Sequence, residues 1–214
     1  MRADSLVLLQ SDALVLQAEF QTVPDAQMAF RMADYRLRVY RRFPEKEMKQ
    51  VVVYLKPSSS PLVRQTVFEL SRTRHEFDVI RLWEQPTELF LSVPGLLPFA
   101  VLTQQGNPEQ ILRQVDQAAG RLERNRRSDV VASVSVLAGL VLGKDIIQKI
   151  LRQDVMRESV IYQEILAEGE AKGEAKAEIR IALDMLRADV PLEQVAAFTR
   201  LPLEKVKRLQ KELG

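Results

Sequence analysis

Apolar and polar positions alternate through the first fifth of the chain. Ser5–Leu9 is a short apolar run, Gln10-Ser11-Asp12 carries turn chemistry, and Ala13–Gln21 alternates. On a strand, Leu14, Leu16, Ala18 and Phe20 share one face, and Ala13, Val15, Gln17, Glu19 and Gln21 share the other. This pattern predicts a β-hairpin. Thr22-Val23-Pro24-Asp25 breaks it. The periodicity then turns helical from Gln27 to Phe43, and Pro44 stops the helix. Gln50–Leu55 (QVVVYL) predicts a buried central strand. Thr66–Ser71 and Phe77–Trp83 predict two more, separated by a polar turn around Arg72-Thr73-Arg74-His75 that leaves His75 on the surface. Pro and Gly punctuate Pro86 to Pro98, with Leu96-Leu97-Pro98-Phe99 as a packed loop.

From Asn107 onward the pattern is helical. Asn107 is an N-cap and Pro108 suits the first helical position of a segment running to about Asn125. Further helices are expected over Asp129–Leu142 and Asp145–Asp154, and from Arg157. Gly169–Lys176 repeats Gly-Glu-Ala-Lys. Its glycines weaken a helix while Glu168 and Lys172 support one, which predicts a solvated, semi-flexible helical connector over 167–178. Three short helices follow, at Ile179–Arg187, Pro191–Phe198 and Leu203–Leu213. The expected fold class is α/β (α+β): a mixed β-sheet core over 1–105, a helical extension packed on it over 106–166, the connector, and a small helical tail over 179–214.

Composition narrows the chemistry. The 214 residues include no Cys and one His. That excludes a disulfide scaffold, a thiol nucleophile and a cysteine or histidine-rich zinc site. Any metal chemistry must rest on carboxylates, which favours Mg²⁺, Mn²⁺ or Ca²⁺. The formal net charge of +2 argues against a uniformly basic coat but allows a local basic face. The start MRADSLVLLQSDA is too weakly apolar for a signal peptide, and Val130–Gly143 falls short of the roughly 20 residues that span a bilayer. A soluble, cytoplasmic protein without a membrane segment is expected.

With the hairpin turn at Ser11-Asp12, Asp4 falls opposite Glu19, and Gln21 joins the same face. A three-residue loop would instead set Asp4 opposite Ala18. Two adjacent carboxylates are costly unless a cation sits between them, and a divalent ion would suit. The same residues also read as a frayed N-terminus and a solvated strand face. On the following helix, Arg31, Arg38 and Arg42 fall within about 40° of one another, with Tyr35 at the border. They form either a phosphate-binding stripe or a solvated charged face. Arg36 stands among Met32, Val39, Tyr40 and Phe43. It either pairs with a carboxylate at the sheet or marks a less buried face.

The ordered set Arg2-Ala3-Asp4-Ser5, Gln17-Ala18-Glu19-Phe20-Gln21-Thr22 and Arg31-Met32-Ala33-Asp34-Tyr35 resembles the PD-(D/E)XK nuclease superfamily, and more closely its Rpn-type recombination-promoting nuclease and transposase family. The likeness continues through Tyr40–Pro44, Gln50–Leu55, Arg81–Glu84 and Met156–Tyr162 into the Gly/Glu/Lys-rich connector. It implies a restriction-endonuclease-like core and Mg²⁺- or Mn²⁺-dependent DNA cleavage. Asp4 and Glu19 would be metal ligands and Gln21 the third catalytic residue, standing where the superfamily usually has Lys. Arg31 and Tyr35 match the pattern on the next helix, and Arg38 and Arg42 would extend the DNA contact. Family members carry a helix and a strand before the motif Asp, and here Asp4 is almost the first residue. The chain is therefore expected to lack that helix and strand. The alternative expectation is a catalytically inactive or truncated DNA-binding or assembly protein, with a homo-oligomer as a further option. The tail resembles a small helix-turn-helix, with Arg200 in place of the usual turn Gly and with Lys205, Lys207, Arg208 and Lys211 available to phosphates. It reads equally as a helical cap or an oligomerisation element.

Overall fold

A computed structural model describes residues 5–104, 106–151, 155 and 159–213. The chain is mixed α/β and divides into two compact units, residues 1–156 and 157–214. The division falls within the expected helical extension over 106–166, ten residues before its end.

The first unit is built on a four-stranded sheet. Strands β1 (Ser5–Gln10) and β2 (Leu14–Gln21) form the expected hairpin. Helix α1 (Met28–Arg42) crosses over to β3 (Glu47–Tyr54), which pairs parallel to β2. Strands β4 (Val67–Leu70) and β5 (Thr73–Glu76) form a separate antiparallel hairpin. The chain then returns as β6 (Asp78–Arg81), parallel to β3, to give the order β1-β2-β3-β6. The QVVVYL run is thus central, as its apolar continuity demands.

The β1–β2 turn differs from the expected one. It lies at Asp12-Ala13, because the Ser11 amide donates to the Leu14 carbonyl (2.8 Å) and the Ser11 hydroxyl accepts from the Leu14 amide (3.2 Å). Glu47 N–H then donates to Ala13 O (2.9 Å), pinning the turn to the start of β3. Moving the turn by one residue moves the register by two. Leu6, rather than Asp4, stands opposite Glu19, and the described ladder ends at Ser5 opposite Phe20. Asp4 lies outside the described residues.

Helix α1 covers one face of the sheet with Met28, Ala29 and Met32, which pack with Val52, Tyr54 and Phe77. The β4–β5 hairpin flanks it, with the Phe68 ring edge-on to Phe30 at 5.7 Å. The expected polar turn over Arg72–His75 is in fact mostly strand: only Ser71-Arg72 turns, with Arg72 left-handed at φ 66°. On the sheet's other face, Phe20 stacks on Phe99 at 5.7 Å. Phe99 belongs to an apolar 3-10 segment, Pro94–Leu102, that packs against α2 (Thr87–Ser92), α3 (Pro108–Ala119) and α4 (Arg124–Ala138). Helix α5 (Lys144–Ile150) packs on α3.

In the second unit the expected helical connector over 167–178 lies inside a single longer helix. Helix α6 runs continuously from Val160 to Arg187, with Ser159 as its N-cap. The Gly-Glu-Ala-Lys repeats stay helical because two Ala and flanking Glu and Lys outweigh two glycines, neither of which touches a neighbour. The end of α6 packs with α7 (Leu192–Thr199) and α8 (Leu203–Leu213) around Ala182, Leu186, Val195, Leu201, Val206 and Leu209.

Candidate active site

Residues two apart on a strand share a face, so β2 sends Val15, Gln17, Glu19 and Gln21 to one side. That side is the one under α1, and all four residues are buried. The polar face of the alternation is therefore an inner face, which removes the solvated-face reading of Glu19 and Gln21. A buried carboxylate is tolerable only when it is paired and hydrogen-bonded. Arg31, one turn into α1, supplies the pairing. Its Nη2 bonds to Glu19 Oε1, and its Nη1 reaches Asp25 Oδ2 at 3.3 Å. Gln21 Nε2 donates to the same Glu19 oxygen at 3.4 Å.

Asp25 is fixed by its place before the helix. One of its carboxylate oxygens accepts from the Gln27 amide at 2.9 Å, leaving the other for Arg31. Burial works against the Arg31 charge, but Glu19, Tyr35 and Asp25 together hold its pKa above the usual range. Burial first, and the Asp25 charge second, push the Tyr54 phenol up. The site is thus a guanidinium clamped by two carboxylates, with an amide, Tyr35 and Tyr54 around it.

The polar row continues the other way along the sheet. Gln17 and Gln50 are directly paired on β2 and β3. Gln50 Nε2 donates to Gln17 Oε1 (2.6 Å) and to the Met32 carbonyl (2.8 Å). With both amide protons committed, Gln50 Oε1 must accept, and its partner is His75 Nε2 at 2.8 Å. His75 is therefore half-buried on β5, hydrogen-bonded to the central strand, and not a surface turn residue.

Of the residues singled out from sequence, Glu19, Gln21, Arg31 and Tyr35 come together. Arg38 and Arg42 do not join them. Arg38 is 68% exposed and pairs with Asp34 at 2.7 Å, one turn earlier on its own helix. Arg42 is exposed at the end of α1, with its guanidinium carbon 5.3 Å from the Phe43 ring centre. Arg36 pairs with no carboxylate among the described residues, so the first of its two expected roles fails. Sequence reasoning missed Asp25, whose signal was a turn-forming carboxylate after Pro24, and the pair Gln17–Gln50, whose signal appears only once β2 and β3 are aligned.

The oxygen ligands on offer are the carboxylates of Glu19 and Asp25, both now held by Arg31, with the Gln21 side-chain amide beside Glu19. That set suits a hard divalent cation held by one or two carboxylates and several waters. Among the described residues no three acidic or histidine side chains converge into a fuller cage. No helix among them is long and apolar enough to cross a membrane. Comparison of the chain with protein-family models, with curated proteins and with solved structures gives no match.

Proposed function

We propose that the chain is a divalent-metal-dependent DNA endonuclease of the PD-(D/E)XK, Rpn-type kind. The observation that carries this reading is the full burial of Glu19 beside Gln21 and Arg31 at the end of a central strand. A structural surface strand has no reason to bury a carboxylate there. Asp4 and Glu19 would hold Mg²⁺ or Mn²⁺, and the metal would supply an activated water and neutralise charge on the scissile phosphate. Gln21 positions water or a phosphate oxygen through its amide. Arg31 now neutralises Glu19; with a cation on the carboxylates, its guanidinium is free to face a phosphate, next to Tyr35. Arg38 and Arg42, exposed further along α1, extend the same helix toward a DNA backbone.

Plasmid cleavage with Mg²⁺ or Mn²⁺ tests the proposal, comparing the wild type with Glu19→Gln, which keeps the side-chain volume. Cleavage by the wild type and loss of it in a folded Glu19→Gln variant is the expected result. Equal activity in both would exclude this site.

One observation favours a second reading, a non-catalytic DNA-binding protein. Helices α7 and α8 are joined by a tight turn at left-handed Arg200, and Lys205, Lys207, Arg208 and Lys211 on α8 are exposed. That reading expects metal-independent, salt-sensitive DNA binding that weakens when these lysines are replaced by Ala.

A further inference from the structure

A second site lies at the other end of the polar row. Strand β6 pairs only with Val51–Tyr54 of β3, so the edge of β3 at Met48–Gln50 has no strand neighbour on that side. The space beside it is an open cavity of about 830 Å³, lined by Arg36 of α1 and by Val67, Arg74 and His75 of the β4–β5 hairpin. Its floor is the buried Gln50, and Met48, Phe77 and Val79 make its apolar wall. A cavity this large holds a small organic molecule, not merely an ion.

The polar groups around it are chosen for an anion. Arg36 Nη1 is buried and has no hydrogen-bond partner among the described residues. A buried guanidinium nitrogen without an acceptor is costly, and an anionic oxygen relieves it. Arg74 is already balanced by Glu76 at 2.8 Å. Lys49 and Asp78, which also line the cavity, bring one charge of each sign and stand on β3 and β6 at positions that alternate with Gln50. His75 is fixed by Gln50 as the Nε2–H tautomer, which leaves Nδ1 as an acceptor for a ligand hydroxyl or amino proton. Planar, forked guanidinium recognition suits phosphate, and the apolar wall suits an organic group attached to it.

We propose that this cavity binds a phosphate monoester carrying a small organic group the size of a nucleoside. Such a group comes either from a free nucleotide or from the 5′-phosphorylated end of a DNA strand. The proposal does not rest on a metal at Glu19.

The test uses the full chain with four probes: deoxyadenosine monophosphate, deoxyadenosine, and a short oligonucleotide with a 5′-phosphate or a 5′-hydroxyl. Titration calorimetry gives affinity, and the ring nitrogens of the one His in the chain give an unambiguous NMR signal at the site. Saturable binding of a phosphorylated probe at least ~10-fold tighter than its unphosphorylated partner, with a shift at His75, is expected. Preference for the mononucleotide or for the oligonucleotide end then identifies the source. Arg36→Gln weakens binding ~10-fold or more, and Glu19→Gln leaves it unchanged. Arg36→Lys, which keeps the charge and guards against misfolding of the Gln variant, recovers part of the loss. Equal binding of phosphorylated and unphosphorylated probes, no binding by any of them, or indifference to Arg36→Gln in a folded variant overturns the proposal. So does loss of binding in Glu19→Gln, which would move the ligand to the other site.

Discussion

Arg31 of α1 holds Glu19 of β2, and the same guanidinium reaches Asp25 at the mouth of the helix. One cation therefore ties the central strand, the helix and the turn between them. Replacing Arg31 by Met takes this guanidinium from the buried Glu19 and is expected to cost about 3 kcal/mol of stability. The double variant Arg31→Met, Glu19→Gln removes the buried charge and is expected to recover most of that loss. Urea denaturation of the single and double variants checks both, and a Glu19→Gln background that fails to rescue Arg31→Met would show that packing, not charge, dominates.

A divalent cation at these carboxylates must compete with Arg31. Millimolar Mg²⁺ or Mn²⁺ is expected to raise the unfolding temperature of the wild type by about 4 °C, a gain of about 1–2 kcal/mol by mass action. Glu19→Gln should abolish the shift while Arg38→Ala keeps it. Differential scanning fluorimetry with and without EDTA reads the effect.

The His75 imidazole is held below its ordinary pKa of 6.5 by burial and, secondarily, by the Arg36 guanidinium. The unfolded chain therefore takes up a proton below about pH 6.5 that the folded chain refuses. Stability should fall as the pH drops through 6.5 and level off below the folded value. Arg36 on α1, Arg74 and Glu76 on β5, and Lys49 and Asp78 on β3 and β6 line the same cavity, and of these charges it is Arg36 that lowers the His75 pKa. His75→Gln should flatten this part of the profile, as followed by urea midpoints between about pH 7 and pH 5.

Arg200 caps α7 in the left-handed region, at φ 57°. This is where a helix C-terminus favours glycine, since a Cβ there meets the backbone. Arg200→Gly should stabilise the second unit by about 1 kcal/mol, visible as a higher thermal midpoint. Unchanged or lower stability would mean that the arginine side chain contributes a compensating interaction.

The hairpin, α1, the central QVVVYL strand and the helical second half were all legible in the chain, because periodicity and the Pro44 stop are local signals. The same locality explains the errors. The β1–β2 register depended on whether Ser11 lies in the turn or closes it, and a hydroxyl-to-amide bond decided that by one residue. His75 looked like turn chemistry because its neighbours are polar; only the approach of Gln50, 25 positions away in sequence, gives its strand a reason to be there. Gly169 and Gly173 set the connector apart as a separate weakened helix, yet an isolated glycine costs only about 1 kcal/mol, and the surrounding Ala, Glu and Lys join it to one helix from Val160 to Arg187. For the site, strand alternation set Glu19 and Gln21 on one face, while only the family resemblance joined Arg31 and Tyr35 to them. Asp25 was not, since its role depends on where α1 starts.

The paired amides of Gln17 and Gln50 also settle how the chain aligns itself. Val51, Val52 and Val53 are interchangeable to an apolar neighbour, so hydrophobic contact alone would accept β3 shifted by two residues along β2. A shift that sets Gln50 against Val15 and Gln17 against Val52 would lay each amide against an aliphatic chain, and the opposite shift would set Gln17 against Met48 and Gln50 against Glu19; either breaks the Gln17–Gln50 hydrogen bond in the interior. Among near-equivalent alignments only one is therefore fully satisfied, and the two glutamines serve as an address label that steers the growing sheet away from its mistaken neighbours.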